Sequence, residues 1–168
     1  QDRVAHLHDS SSGALLARLR GHRDGVYRAT FSSDGLRVVT AGADGEAMVW
    51  NAVSGRRLAT LSGHALEIYD AEFSPDGRRV VTASVDQTAI LWNAANGRLL
   101  ARLEGHSNLV TRARYSADGL RIVTASEDGA ARVWSARDGS AVAVLSVLGN
   151  VTLPKDAEEQ VRRDTLAA

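Results

Sequence analysis

The sequence predicts an all-β chain assembled from repeated four-stranded antiparallel units, and three observations predict it. The first is a frame from Gly63 to Trp92 that opens on Gly-His, passes a Ser-Pro-Asp-Gly turn and an apolar run, and closes on Trp. The same frame stands forty-two residues earlier, from Gly21 to Trp50, and forty-two later, from Gly105 to Trp134. No insertion breaks the register, and self-similarity at such a period marks one supersecondary unit stacked on copies of itself. The second observation is turn chemistry at regular intervals. The third is the apolar patterning of the segments between those turns.

Taken in order, residues 2–19 read as the second half of a unit. Asp2 precedes His8 by the spacing that separates Asp44 from Trp50, and Gly13 follows His8 as Gly55 follows Trp50. Arg3–His8 is predicted as a third strand and Leu15–Leu19 as a fourth. Three complete units follow, at about 21–62, 63–104 and 105–146, each with four strands. In the first of them the strands are predicted near Val26–Phe31, Arg37–Ala41, Ala47–Asn51 and Arg57–Leu61. Ser33-Asp34-Gly35, Pro75-Asp76-Gly77 and Ala117-Asp118-Gly119 join first strands to second, where Gly supplies the positive φ that closes a hairpin. Asp44-Gly45 and Asp128-Gly129 join second to third, with Asp86-Gln87 as the exception. Ser54-Gly55, Asn96-Gly97 and Asp138-Gly139 join third to fourth. Second strands (RVVTAG, RVVTAS, RIVTAS) are near-continuous apolar runs, as in sheets covered on both faces. Fourth strands such as LATLS and LLARLE alternate apolar with polar, which suits one wet side. After Leu145 the pattern dissolves. Residues 147–168 are read as a non-repeat tail, helix-prone from Lys155, with Asp156 and Glu159 spaced as a capping box.

Gly-His, an Asp-containing turn and a terminal Trp at this period resemble the WD-repeat family, over Asp2 to about Leu145. The resemblance implies a partial β-propeller of four-stranded antiparallel blades, three full and one half. One departure stands out: Asn51, Asn93 and Ser135 follow the three Trp residues, so no full repeat keeps the Asp of the Trp-Asp pair. Asp9 keeps it in the half unit, where His8 has replaced the Trp. The family's hydrogen-bonded chain within each blade, carried over by position, would be His22, Thr40, Asp44 and Trp50 in the first full unit. In the second it would be His64, Thr82, Asp86 and Trp92, and in the third His106, Thr124, Asp128 and Trp134. A buried carboxylate needs donors, and imidazole, hydroxyl and indole supply them.

Composition narrows the function classes. Lys plus Arg and Asp plus Glu number 20 each, which argues against a bulk electrostatic binder of nucleic acid or membrane. The absence of Cys removes disulfide and thiolate chemistry. No apolar run approaches the ~20 residues needed to span a bilayer. A cytoplasmic setting is the expectation. Nineteen Arg against the single Lys155, with abundant Ala, suggest a bacterial coding bias. Because the chain opens in mid-unit without Met, a piece of a longer polypeptide is expected.

No catalytic, cofactor or metal site is predicted. One His per unit distributes the three histidines around a ring, where they cannot converge on one ion. His6 and His8 share a strand face at a spacing that chelates zinc, but no third ligand offers itself. Asp24 and Asp70 read as isolated surface acids, and Glu158-Glu159 lie in the tail. Ser10-Ser11-Ser12-Gly13 lacks the frame of a nucleophile elbow. Arg56-Arg57, Arg78-Arg79, Arg112 and Arg114 read as solvated faces, and inner-strand positions as mainly apolar and small.

Binding is what the resemblance implies: a protein-interaction scaffold or sensor module of the kind appended to bacterial signalling proteins. Ligands would meet the end of the ring where the chain enters the inner strand and the second strand turns into the third. Those positions hold Gly25, Tyr27 and Ala43, then Glu67, Tyr69 and Val85, then Leu109, Thr111 and Glu127. Tyr27 and Tyr69 carry the most weight, since Tyr offers large contact area with a polar tip. The alternatives are a self-assembling structural array and an enzyme with a site at the channel mouth. Propellers close with about four to eight blades, so missing blades of the same polypeptide, or a second copy, are expected to complete the ring.

Overall fold

The structure is a computed structural model, and it describes residues 2–146 and 151–152. The predicted tail elements at Lys155, Asp156 and Glu159 lie outside those residues. The half unit is a two-stranded hairpin, β1 (Val4–His8) and β2 (Leu15–Arg20). The first full unit is the sheet β3 (Val26–Phe31), β4 (Arg37–Gly42), β5 (Glu46–Asn51) and β6 (Arg57–Ser62). The second is β7 (Ile68–Phe73), β8 (Arg79–Ser84), β9 (Ala89–Asn93) and β10 (Leu99–Leu103). The third is β11 (Val110–Tyr115), β12 (Arg121–Ser126), β13 (Ala130–Ser135) and β14 (Ala141–Ser146). A short β15 (Val151–Thr152) pairs with β14 as a fifth strand, which nothing in the repeat pattern announces. All pairings are antiparallel and join neighbours in sequence, so every unit is a meander. The fold class read from the sequence is the one observed.

Period-2 alternation decides which way each second strand packs. Val38 of β4 faces the half unit, in a cluster with Leu7, Leu19, Met48 and Trp50. Its neighbour Val39 faces the opposite way, into a cluster shared with Ile68, Phe73, Val80 and Trp92 of the second unit. Val81 in turn faces Val110, Ala113, Ile122 and Trp134 of the third. Each sheet is therefore a slab with two apolar faces, and each Trp seals the seam with the preceding unit. The outermost slabs lack that cover among the described residues. Val123, in the place of the fully buried Val39 and Val81, is 39% exposed. Phe31 is 59% exposed where its equivalent Phe73, covered by the first unit, is 5% exposed.

The turns follow the sequence closely, and the one exception in it is informative. Gly45 and Gly129 hold φ near +73° and +81° in the turn between second and third strands, and Gln87 holds +72° in the second unit. A side chain in that left-handed region costs about 1–2 kcal/mol. Gln87→Gly is therefore expected to raise stability by about 0.5–1 kcal/mol, part of the relief being offset by the greater freedom of unfolded Gly. A thermal melt checks this, and a lower midpoint for the variant would contradict it.

Candidate functional site

The His, Thr, Asp and Trp positions converge within each full unit. Trp50 donates its indole N–H to Thr40 Oγ1 at 2.8 Å, and His22 Nε2 lies 2.8 Å from the same oxygen. His22 Nδ1 stands 3.0 Å from both Asp44 carboxylate oxygens. The second unit repeats this with Trp92, Thr82, His64 and Asp86 at 2.7–2.8 Å. The third does so with Trp134, Thr124, His106 and Asp128 at 2.8–2.9 Å. The proton positions follow from valence. A carboxylate only accepts, so Nδ1 carries the ring proton, and an indole only donates, so the Thr oxygen accepts from Trp and donates to Nε2. The chain runs from a buried Trp to a carboxylate at the loop end.

That carboxylate also organises the loop. Asp44 accepts from the Arg23 and Glu46 N–H groups, Asp86 from Ala65 and Thr88, and Asp128 from Ser107 and Ala130. Burial works to raise all three carboxyls, but the His ring and the backbone donors outweigh it. All three are held below the usual carboxylate range, Asp128 at about 2. Burial lowers the His106 ring in spite of its Asp128 partner, which favours the neutral tautomer assigned above. The entry loop and the second turn are thus pinned together at one end of every sheet, called here the entry end.

The candidate partner-binding residues lie at that end. Ala43 N–H donates to Gly25 O, Val85 to Glu67 O, and Glu127 to Leu109 O, at 2.9–3.1 Å. Tyr27, Tyr69 and Thr111 each occupy the same irregular place. In the pairing of β3 with β4, Val26 opposes Gly42 and Arg28 opposes Ala41, which leaves Tyr27 as the extra residue of a β-bulge. Tyr69 and Thr111 are extra in β7 and β11 in the same way. Bulges re-aim a side chain out of the ladder. Here they bring Tyr27 and Tyr69 edge to face, with ring centroids 5.6 Å apart. Thr111 has no ring to offer, and its hydroxyl donates to Ala125 O. Partial burial, and then the Glu67, Tyr69 and Asp24 neighbours, push the Tyr27 phenol up, so it remains a donor.

A depression of about 340 Å³ opens between the first and second units at the entry end, lined by Ala43, Asp44, Gly45, Ala65, Leu66, Glu67 and Val85. Gly45 permits it, since a Cβ there would stand 3.1 Å from Leu66 O. Glu67 and Val85 line it, whereas Leu109, Thr111 and Glu127 belong to the third unit and do not. Leu66, absent from the sequence-based set, is half exposed on its wall. Its position in the entry loop was the available signal.

Several expectations need correction. Asp70 is not a surface acid but wholly buried on inner strand β7. Arg28 of β3 approaches its Oδ1 at 3.2 Å, as an ion pair without hydrogen-bond alignment. Arg114 of β11 donates to its Oδ2, which also accepts the Ala113 N–H at 3.2 Å. Glu72 accepts the Tyr115 N–H at 2.8 Å. The inner strands thus carry an ionic lattice rather than mainly apolar and small residues. Carboxylates of one unit cover the free N–H edge of the next. Arg114 and Arg79 are accordingly not solvated faces, for Arg79 donates to Ala136 O across a seam. Arg56, Arg57, Arg78 and Arg112 are exposed, and so is Asp24. His6 and His8 rings sit 6.2 Å apart, and His8 Nδ1 bonds Gly13 O at 3.0 Å. Among the described residues no third His, Cys, Asp or Glu joins them. Nor, among those residues, is any helix long and apolar enough to cross a membrane.

Comparison with known proteins locates the architecture. The family model described as WD domain, G-beta repeat matches residues 13–51, 55–93 and 97–135. Intraflagellar transport protein 122 homolog of Homo sapiens and that of Mus musculus are each 37% identical over 46 residues. That stretch is 27% of this chain and 4% of each relative, so the match spans a small part of their length.

Proposed function

Because the chain belongs to the WD-repeat family, we propose that it is a non-catalytic protein-interaction module whose entry end receives a peptide segment of a partner. The observation that carries this reading is the bulged Tyr27–Tyr69 pair beside the depression lined by Leu66, Glu67 and Val85. Aromatic anchors next to a concave, mixed surface supply affinity at low entropic cost, and the rigid sheets beneath hold them in place. Leu109, Thr111 and Glu127 would extend the surface across the third unit. Further units of the same kind, from the same polypeptide or a second copy, are proposed to cover the bare slabs at Phe31 and Val123, because Phe73 and Val81 are covered in that way. A bacterial signalling protein in a cytoplasmic setting is the context we infer, from the Arg-rich composition and the family resemblance.

The reading is tested by selecting binders from a random peptide library. Enriched peptides are expected to lose about tenfold or more in affinity to a Tyr27→Ala, Tyr69→Ala double variant, and nothing to Arg56→Ala. Peptides that bind both variants equally well would remove the entry end as the docking surface.

A further inference from the structure

At the end of the sheets opposite the entry end, the two inter-unit seams differ, and the difference points to a ligand. In the seam between the first and second units, Arg37 reaches across. Its guanidinium carbon lies 5.2 Å from the Phe73 ring centroid, with Asp34 3.7 Å from one nitrogen. A terminal nitrogen comes within 2.5 Å of where a Cβ on Gly77 would stand, so the glycine makes the room. Ser33 Oγ donates to Pro75 O at 2.8 Å and ties the two turns together.

The next seam carries the same frame with three changes. Pro75 replaces Ser33 and has no hydroxyl to tie the turns. Tyr115 replaces Phe73, and its hydroxyl oxygen is buried without a protein partner. Arg79, the equivalent of Arg37, is drawn aside to the Ala136 and Arg137 carbonyls. The result is a cleft of about 430 Å³, lined among others by Asp76, Tyr115, Asp118, Gly119 and Leu120. Tyr115 and Gly119 correspond to Phe73 and Gly77, the two residues that Arg37 covers in the first seam.

We propose that this cleft receives an arginine side chain of a protein partner, its guanidinium over the Tyr115 ring and facing Asp76 and Asp118. The first seam supplies the template, since there the chain fills the equivalent place with its own guanidinium. The placement of donors and acceptors favours a cation as the ligand. Arg79 and the exposed Arg137 border the cleft, and Arg78 and Arg121 act on the two acids from their own turns. The Arg79 donors, however, are turned to two carbonyls, while Asp76 and Asp118 present acceptors from both walls. The Ser74 hydroxyl and the Arg78 N–H hold Asp76 ionised, and the Ser116 hydroxyl and the Leu120 N–H do the same for Asp118. An anion would meet those two charges and the electron-rich face of the ring, where a flat cation is attracted. The proposal stands independently of the entry-end reading.

The test is an NMR titration of the full 168-residue chain with Nα-acetyl-arginine amide. Saturable shifts are expected at the Tyr115 ring and the Gly119 and Leu120 amides. Nα-acetyl-citrulline amide, the neutral isostere, should bind about tenfold more weakly. Asp118→Asn should weaken binding by about fivefold, while Tyr115→Phe keeps it and Tyr115→Leu abolishes it. Arg79→Met should leave binding intact or tighten it. The three Trp indole resonances report whether each variant keeps its fold. Equal affinity for citrulline, unsaturated shifts spread over the surface, or inorganic phosphate shifting the same resonances through Arg79 would each overturn the proposal.

Discussion

Asp70→Ala is expected to lower the unfolding free energy by about 3 kcal/mol. Removing one partner of a buried ion pair typically costs about 3–5 kcal/mol, because the charges left behind have already given up their water. The low end applies here, since the Arg28 and Arg114 side chains keep 36% and 31% of their exposure. The Ala113 N–H would lose its acceptor as well. Asp70→Asn should fall in between, because an amide oxygen can still accept from Ala113. Urea unfolding gives the numbers, with the exposed Arg112 on β11 as a control. A loss for Asp70→Ala no larger than for Arg112→Ala would mean that the inner-strand lattice contributes nothing.

Thr82→Val should cost a comparable amount. Val matches the shape of Thr but lacks the oxygen that accepts from Trp92 and donates to His64, so two buried groups lose their partners together. Each such loss costs about 1–3 kcal/mol. A fall in melting temperature of roughly 5–15 °C follows for a chain of this size. Thr40→Val and Thr124→Val should behave alike in their own units. A shift of under ~2 °C in all three would show that the hydrogen-bonded chain is decoration on a core that packs without it.

What was legible in the sequence was whatever repeats. His22, Thr40, Asp44 and Trp50 recur with their counterparts at one spacing, and the strands and glycine turns recur with them, so each copy vouches for the others. The ionic lattice follows the opposite rule. Asp70 occupies the place of Arg28 and Arg112, and Glu72 that of Thr30 and Arg114. Opposite charges at one repeat position look like surface drift along the chain, whereas inner strands side by side turn them into partners. The bulges at Tyr27 and Tyr69 were equally silent, since they consist of a shift in pairing rather than a change in residue type. In the second seam, Pro75 and Tyr115 each read as tolerated variation, and only their placement across one gap from each other makes them a cleft.

The two-faced slabs have a consequence for how the chain comes apart. Val38 answers to the unit before it and Val39 to the unit after, and no side chain in the apolar clusters bridges more than one seam. Cohesion is therefore handed from neighbour to neighbour, and the molecule behaves as a short one-dimensional lattice rather than as one droplet. The middle slab, with a full unit on each side where the first has only the half unit on one, is expected to set the ceiling for amide protection. The third, gripped on one side among the described residues, opens at a lower free energy and carries Tyr115 and Gly119 with it. A further unit over Val123, of the kind proposed above, would thereby firm the far wall of the cleft without touching it.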